Sequence, residues 1–283
     1  MTELSDIEIK YLKALKAPDY AAFRKYHVED PAAGTFSWFL EEESLCRWLS
    51  EEASSILWIR GSPGQGKTVL SKFLLDRLES PGLVSGHNAK IVYFFFYYQD
   101  ERLRTVSAAL RSLIKQLLPS TDLFKHLFET FDVNSPTDSE DTLWEIFEAM
   151  VQDPIVGKVY CILDALDECD EGSRNWLLRR LTRLIQTSVQ NRKKDVLKLL
   201  VTSRPVLDII RALDRFPRFD LTANPNDLRL FVHSKVAALQ DLSVDLQKRV
   251  AELLLDGAGR TFLWVSIVCN QLREVALPLV QMA

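Results

Sequence analysis

Residues Gly61-Ser62-Pro63-Gly64-Gln65-Gly66-Lys67-Thr68 have the spacing G-x-x-x-x-G-K-[ST] and directly follow the apolar run Ile56-Leu57-Trp58-Ile59. Each residue type in this octapeptide has a physical use. Glycines let the backbone wrap an anion with its N–H groups pointing inward, and a helix that starts there presents its positive dipole end to the same charge. A lysine at the seventh position reaches β and γ phosphates, and the hydroxyl of Thr68 can ligate Mg²⁺. The loop therefore reads as a phosphate cradle for ATP/ADP or GTP/GDP with Mg²⁺. Its context agrees, because a strand pattern precedes it and a helical pattern, residues 68–79, follows.

Mg²⁺ prefers carboxylate and water oxygens, so a second set of ligands is needed. The apolar run Val159 to Leu163 ends in Asp164, and Asp167, Glu168, Asp170 and Glu171 follow within seven positions. Ligands of open parallel sheets sit at the carboxyl ends of the strands, which makes Asp164 the metal-side aspartate. Asp167 and Glu168 then fall on the loop just beyond, where either can orient or deprotonate an attacking water. Asp170 and Glu171 read as solvated or capping residues ahead of a helix from about Ser173. At the same sheet edge, the stretch 199–205 (LLVTSRP) ends in Arg204-Pro205. Arg204 is either a γ-phosphate sensor acting through charge-assisted bonds or a surface arginine before a turn.

These residues need a scaffold, and the hydrophobic pattern supplies one. Short apolar runs at 56–59, 91–98, 159–163, 197–202 and, more weakly, 218–221 alternate with helical patterns near 68–79, 103–118, 140–152 and 173–190. Continuous apolarity means strands covered on both faces, and intervening helices mean crossover connections. The fold class is α/β: a mostly parallel five-stranded sheet flanked by helices. Residues 1–50 read as a helical lead-in, 51–222 as the nucleotide-binding domain, and 223–283 as a helical subdomain with helices near 226–240, 243–256 and 260–275.

Bulk properties set limits. The 283 residues are 47% hydrophobic and 26% charged, ordinary values for a folded chain. A net charge of −4 gives no global attraction to nucleic acid or an anionic membrane. Cys46, Cys161, Cys169 and Cys269 lack CxxC spacing, which fits a reducing, cytoplasmic setting. The four histidines are scattered without metal-ligand spacing, and there is no G-x-S-x-G elbow. Arg174, Arg179, Arg180, Arg183 and the run Arg192-Lys193-Lys194 read as solvated helix face, and Tyr93 to Tyr98 as buried strand. The expected partner is thus nucleotide, with no nucleic acid and no membrane.

The combination of ILWIRGSPGQGKT, VYFFFYY with RTVSAALRSLIKQLL, CILDALDEC, LLVTSRP and FLWVSIVCNQL, in this order, resembles the NACHT-type signalling NTPases, especially their fungal branch. The likeness runs from about residue 10 to 275. It implies a STAND switch, in which a nucleotide-binding domain and a helical domain close around the diphosphate and open to self-associate with the triphosphate. The family pattern carries over its metal-side aspartate to Asp164, a small residue to Ala165, an acidic pair to Asp167-Glu168 and a sensor arginine to Arg204. A turn that approaches adenine in related ATPases is represented only by Pro278, without its glycine. Family members usually continue into a winged-helix domain and a repeat array, so the resemblance covers the nucleotide-binding core and first helical domain. A nucleotide-bound adaptor that hydrolyses nothing is the alternative. The guanine signature N-K-x-D is absent, which tilts the base toward adenine.

Overall fold

The computed structural model describes residues 4–83, 89–118, 121–133, 139–190, 196–239, 242–257, 259 and 261–280, with the backbone alone at 121 and 275–280. Three helices lead in: α1 (Asp6–Ala14), α2 (Tyr20–Tyr26) and, after a 3₁₀ turn at Ser37–Glu41, α3 (Glu43–Ser50). The α/β core then runs β1 (Ser55–Arg60), α4 (Lys67–Glu79), β2 (Lys90–Phe95), α5 (Val106–Leu117), α6 (Phe124–Thr130), α7 (Glu140–Gln152), β3 (Val159–Asp164), α8 (Glu171–Gln190), β4 (Leu197–Ser203), α9 (Leu207–Leu213) and β5 (Arg218–Asp220). Among the described residues, three helices follow: α10 (Pro225–Ala237), α11 (Val244–Gly257) and α12 (Phe262–Val280). The Arg192-Lys193-Lys194 run lies outside the described residues.

The five strands form one parallel sheet in the order β2-β3-β4-β1-β5. Successive side chains of a strand point to opposite faces, and here both faces meet apolar cover. Ile56, Trp58, Val92, Phe94, Cys161, Leu163, Leu199 and Val201 belong to one core cluster with residues of α5, α7 and α8. Leu57, Ile59, Tyr93, Phe95, Tyr160, Ile162 and Leu200 belong to a second cluster with residues of α3 and α4. That two-sided burial is why the runs are continuously apolar.

The expected run 91–98 becomes a strand only to Phe95, and that strand is an edge. An edge leaves backbone groups without partners. At Tyr93 a side chain supplies them: Gln116 Oε1 accepts the Tyr93 N–H at 3.0 Å, and Gln116 Nε2 donates to the Tyr93 carbonyl at 2.8 Å. The lead-in covers the same strand, with Tyr20 edge-on to Tyr93 and Phe23 near Phe95. Leu15 joins the larger core, and the Arg111 guanidinium bonds its carbonyl. The short helices α2, α6 and α9, each of seven residues, are too brief for the apolar spacing to mark.

The last three helices pack around Leu228, Val232, Val236, Ala251, Leu254, Val265 and Cys269. They are tied back to the lead-in by Asp227, 1% exposed, which accepts the Phe36 N–H at 3.0 Å and the Trp38 indole N–H at 2.8 Å. Among the described residues no helix is long and apolar enough to cross a membrane.

Candidate nucleotide-binding site

The site is built where β1 turns into α4. Gly61 N–H donates to the Ser203 carbonyl at 3.2 Å and the Leu221 N–H to the Arg60 carbonyl at 2.7 Å, so both neighbouring strands hold the start of the loop. Gly64 and Gly66 adopt φ of +76° and +86°, a left-handed backbone that side-chain-bearing residues rarely take. Gly66 caps α4, whose first residue is Lys67. The Lys67 ammonium is held on the loop's own carbonyls, Gly61 at 2.7 Å and Ser62 at 3.0 Å. Burial lowers its pKa, while Asp167 and Asp164 pull the other way. The pocket above, about 370 Å³, is lined by residues 63–68 together with Ala165, Asp167, Glu168 and Arg204.

Asp164 is the last residue of β3 and is 1% exposed. Its Oδ1 accepts from the Ser71 hydroxyl of α4 and the Thr202 hydroxyl of β4, each at 2.6 Å. Its Oδ2 is buried with no hydrogen-bond partner among the described residues. Burial raises the carboxyl pKa, opposed by Ser71, Thr202 and Thr68. An orphaned buried carboxylate oxygen is costly to leave alone. Together with the Thr68 hydroxyl, it is the donor set that a hard divalent cation such as Mg²⁺ takes.

Past Asp164 the chain turns sharply. Ala165 sits at φ +53°, and its N–H donates to Thr202 Oγ1 at 3.0 Å, so one hydroxyl orients both the aspartate and the turn. A 3₁₀ turn, Leu166–Glu168, then separates the two acids that the sequence left equivalent. Asp167 has a side chain only 4% exposed, and it accepts the Arg204 N–H at 2.9 Å and the Arg204 Nε–H at 2.5 Å. Glu168 Oε2 accepts the Tyr98 N–H at 3.0 Å. Burial raises the Glu168 pKa, and the negative charges of Asp167 and Asp164 push the same way. Arg204 remains half exposed at the pocket.

Other parts of the pocket wall were not anticipated. The lead-in contributes Glu29, Asp30, Thr35 and Phe36, and the helical subdomain contributes Phe231, Phe262, Leu263 and Ser266. The subdomain touches the loop directly: Phe262 N–H donates to the Gly64 carbonyl at 2.9 Å, and Ala223 N–H donates to Gln65 Oε1 at 2.5 Å. A Cβ on Gly64 would lie 2.8 Å from the Leu263 Cβ, so this glycine serves close approach as well as conformation. Phe36, itself left-handed at φ +60°, lies between Phe73 and Phe262. Its position and unusual backbone carry no mark in the sequence. Pro278 falls within α12 at a position whose side chain lies outside the described residues.

Comparison with known proteins places this geometry. The family model described as Nephrocystin 3, N-terminal, matches residues 34–204. Vegetative incompatibility protein HET-E-1 of Podospora anserina is 29% identical over 259 residues, covering 85% of this chain. The chain spans 18% of the length of that relative. Among solved structures, the ORC1 protein of Aeropyrum pernix in complex with DNA superposes with a TM-score of 0.51 at 18% identity, covering 87% of this chain and 59% of that one. Drosophila ORC bound to DNA does so with a TM-score of 0.51 at 14% identity, covering 98% and 64%. At those identities the likeness is one of fold, a P-loop NTPase α/β fold. With the family model matched over more than half its residues, the chain belongs to the nephrocystin 3, N-terminal family, and its similarity to a fungal vegetative incompatibility protein agrees with the resemblance to NACHT-type modules.

Proposed function

We propose that this module is a nucleotide-dependent switch that binds ATP or GTP, hydrolyses it slowly, and passes the state of the phosphate loop to the helices after residue 223. Residues 61–66 wrap the phosphates with backbone N–H groups, and Lys67 exchanges its carbonyl partners for phosphate oxygens. Asp164 and Thr68 would hold Mg²⁺, which would supply positive charge to offset that of the phosphates. Glu168, whose carboxyl pKa burial raises, orients or deprotonates the attacking water. Asp167 acts through Arg204, fixing the guanidinium that faces the γ-phosphate.

The observation that carries the switch reading is the direct seat of α12 on the loop through Phe262 and Leu263 at Gly64. A loop that rearranges around a γ-phosphate meets that contact first. The triphosphate state favours self-association by as much as the nucleotide distinguishes the two arrangements. The likeness to a vegetative incompatibility protein supports signalling of the immunity or programmed cell death type, in the cytoplasm. A second reading, an adaptor that binds nucleotide without turnover, draws on the fact that Asp167 and Glu168 both already have protein partners. Single-turnover hydrolysis and sedimentation measured side by side separate the two. Phosphate release, with the associated species persisting only while triphosphate remains, supports the switch. Retained triphosphate with no change of mass supports the adaptor.

A further inference from the structure

A second cleft, of about 630 Å³, opens between α8 and α9, away from the phosphate loop. Its walls carry matching rows of donors. Asn175 and Arg179 stand one helical turn apart on α8, and Arg211 and Arg215 stand one turn apart on and just past α9. Arg179 and Arg211 have no ion-pair partner among the described residues. Arg215 meets the Gln186 amide oxygen and the face of Phe216. Behind them is Arg174, 8% exposed, fixed by Asp208 at 2.7 Å and by the carbonyls of Asp167 at 3.1 Å and Cys169 at 2.9 Å.

Among the described residues, four guanidiniums line this cleft against two carboxylates, Glu171 and Asp208, a local excess of two positive charges in a chain of net charge −4. Asp208 is already committed to Arg174. Guanidinium forks bind phosphate and carboxylate in pairs of parallel bonds. Two features select between those anions. Donors from two facing helices demand more acceptor oxygens than one carboxylate offers. Among the described residues the lining also holds no aromatic ring on which an unpaired base could stack.

We propose that the α8–α9 cleft is a second anion site, binding a compact oligophosphate independently of the phosphate loop. Arg174 is the shared wall between this cleft and the loop carrying Asp167, so an occupant lies one side chain from the nucleotide machinery.

The test uses pyrophosphate as probe in calorimetric titrations of the whole chain. Wild type should take two equivalents, and the Lys67→Ala variant should keep one. Adding Arg179→Gln and Arg211→Gln to that variant should weaken the remaining site about a hundredfold or more, the combined effect of two lost charge-assisted bonds. Both arginines are exposed, so the urea midpoint should not move. In the otherwise wild-type chain, the same two substitutions should cut the stoichiometry from two to one. Loss of all pyrophosphate binding on Lys67→Ala alone, or affinity indifferent to the arginine substitutions, overturns the proposal. So does a short oligoglutamate that competes with pyrophosphate at equal affinity.

Discussion

Asp167 grips Arg204 at two points, accepting its backbone N–H at 2.9 Å and its Nε–H at 2.5 Å, and so joins the turn after β3 to the turn after β4. That pair sets two adjacent acids apart by their partners. Asp167 positions an arginine, while Glu168 faces the pocket with a single backbone donor from Tyr98.

The consequence is a split between variants. Glu168→Gln should leave triphosphate affinity near wild type and slow single-turnover hydrolysis by about 10²- to 10⁴-fold, the usual worth of a positioned base. Asp167→Asn should lower the rate through Arg204. Its effect and that of Arg204→Ala should therefore fail to add, with a coupling of about 0.5–3 kcal/mol in a double-mutant cycle. Additive losses would place the two side chains in separate roles.

Thr202 supplies one hydroxyl to two tasks, donating to Asp164 Oδ1 and accepting from the Ala165 N–H. Thr202→Val keeps the shape and removes both bonds. An unsatisfied buried donor costs about 1–3 kcal/mol, so the urea midpoint should fall, and Mg²⁺-dependent triphosphate binding should weaken more than binding without Mg²⁺.

Gly64→Ala introduces a Cβ at 2.8 Å from Leu263 and forces alanine to φ +76°. Where φ is positive, alanine costs more than the roughly 0.4–1 kcal/mol it would otherwise contribute. The clash is with the helical subdomain, so hydrogen exchange should speed up in α12 and leave the exchange of β3 and β4 unchanged. Uniform acceleration across the core would mean the contact is not the weak point.

Lys198 is fully buried on β4, with the Ser55 hydroxyl at 2.9 Å, and burial pushes its pKa down to about 8 from the ordinary 10.5. Between those values the unfolded chain binds more protons than the native one, so this group makes stability rise with pH from about 8 to 10.5, and the gain is lost as pH falls through that window. Lys198→Met should flatten that slope and raise stability at pH 7.5 by on the order of 1–3 kcal/mol. Urea midpoints at pH 7.5 and 10.5 for the two proteins decide it.

The strand-to-helix turn at residues 61–68 was legible in the sequence because its residue types answer to contiguous backbone geometry. The parallel α/β fold was legible from continuous apolar runs separated by helical spacing. Other features depend on residues far apart in the chain. Phe36 and Phe262 meet where Asp227 fastens α10 to the lead-in and the Phe262 N–H bonds the Gly64 carbonyl. The sequence pattern has no term for that distance. Asp167 and Glu168 are neighbours of similar chemistry, and only the placement of Arg204 and Tyr98 distinguishes them. The edge position of β2 was hidden because α2, α5 and the Gln116 amide give an outer strand the cover of an inner one.

The central claim is that residues 61–68 with Asp164 form a Mg²⁺-dependent triphosphate site, and equilibrium titration with labelled ATP and GTP tests it most directly. Wild type should bind at least one of the two more tightly with Mg²⁺ than without it. Lys67→Ala should abolish binding, and Asp164→Asn should erase the Mg²⁺ dependence, each with an unchanged far-ultraviolet circular dichroism spectrum. Binding of either nucleotide by folded Lys67→Ala at wild-type affinity would contradict the account.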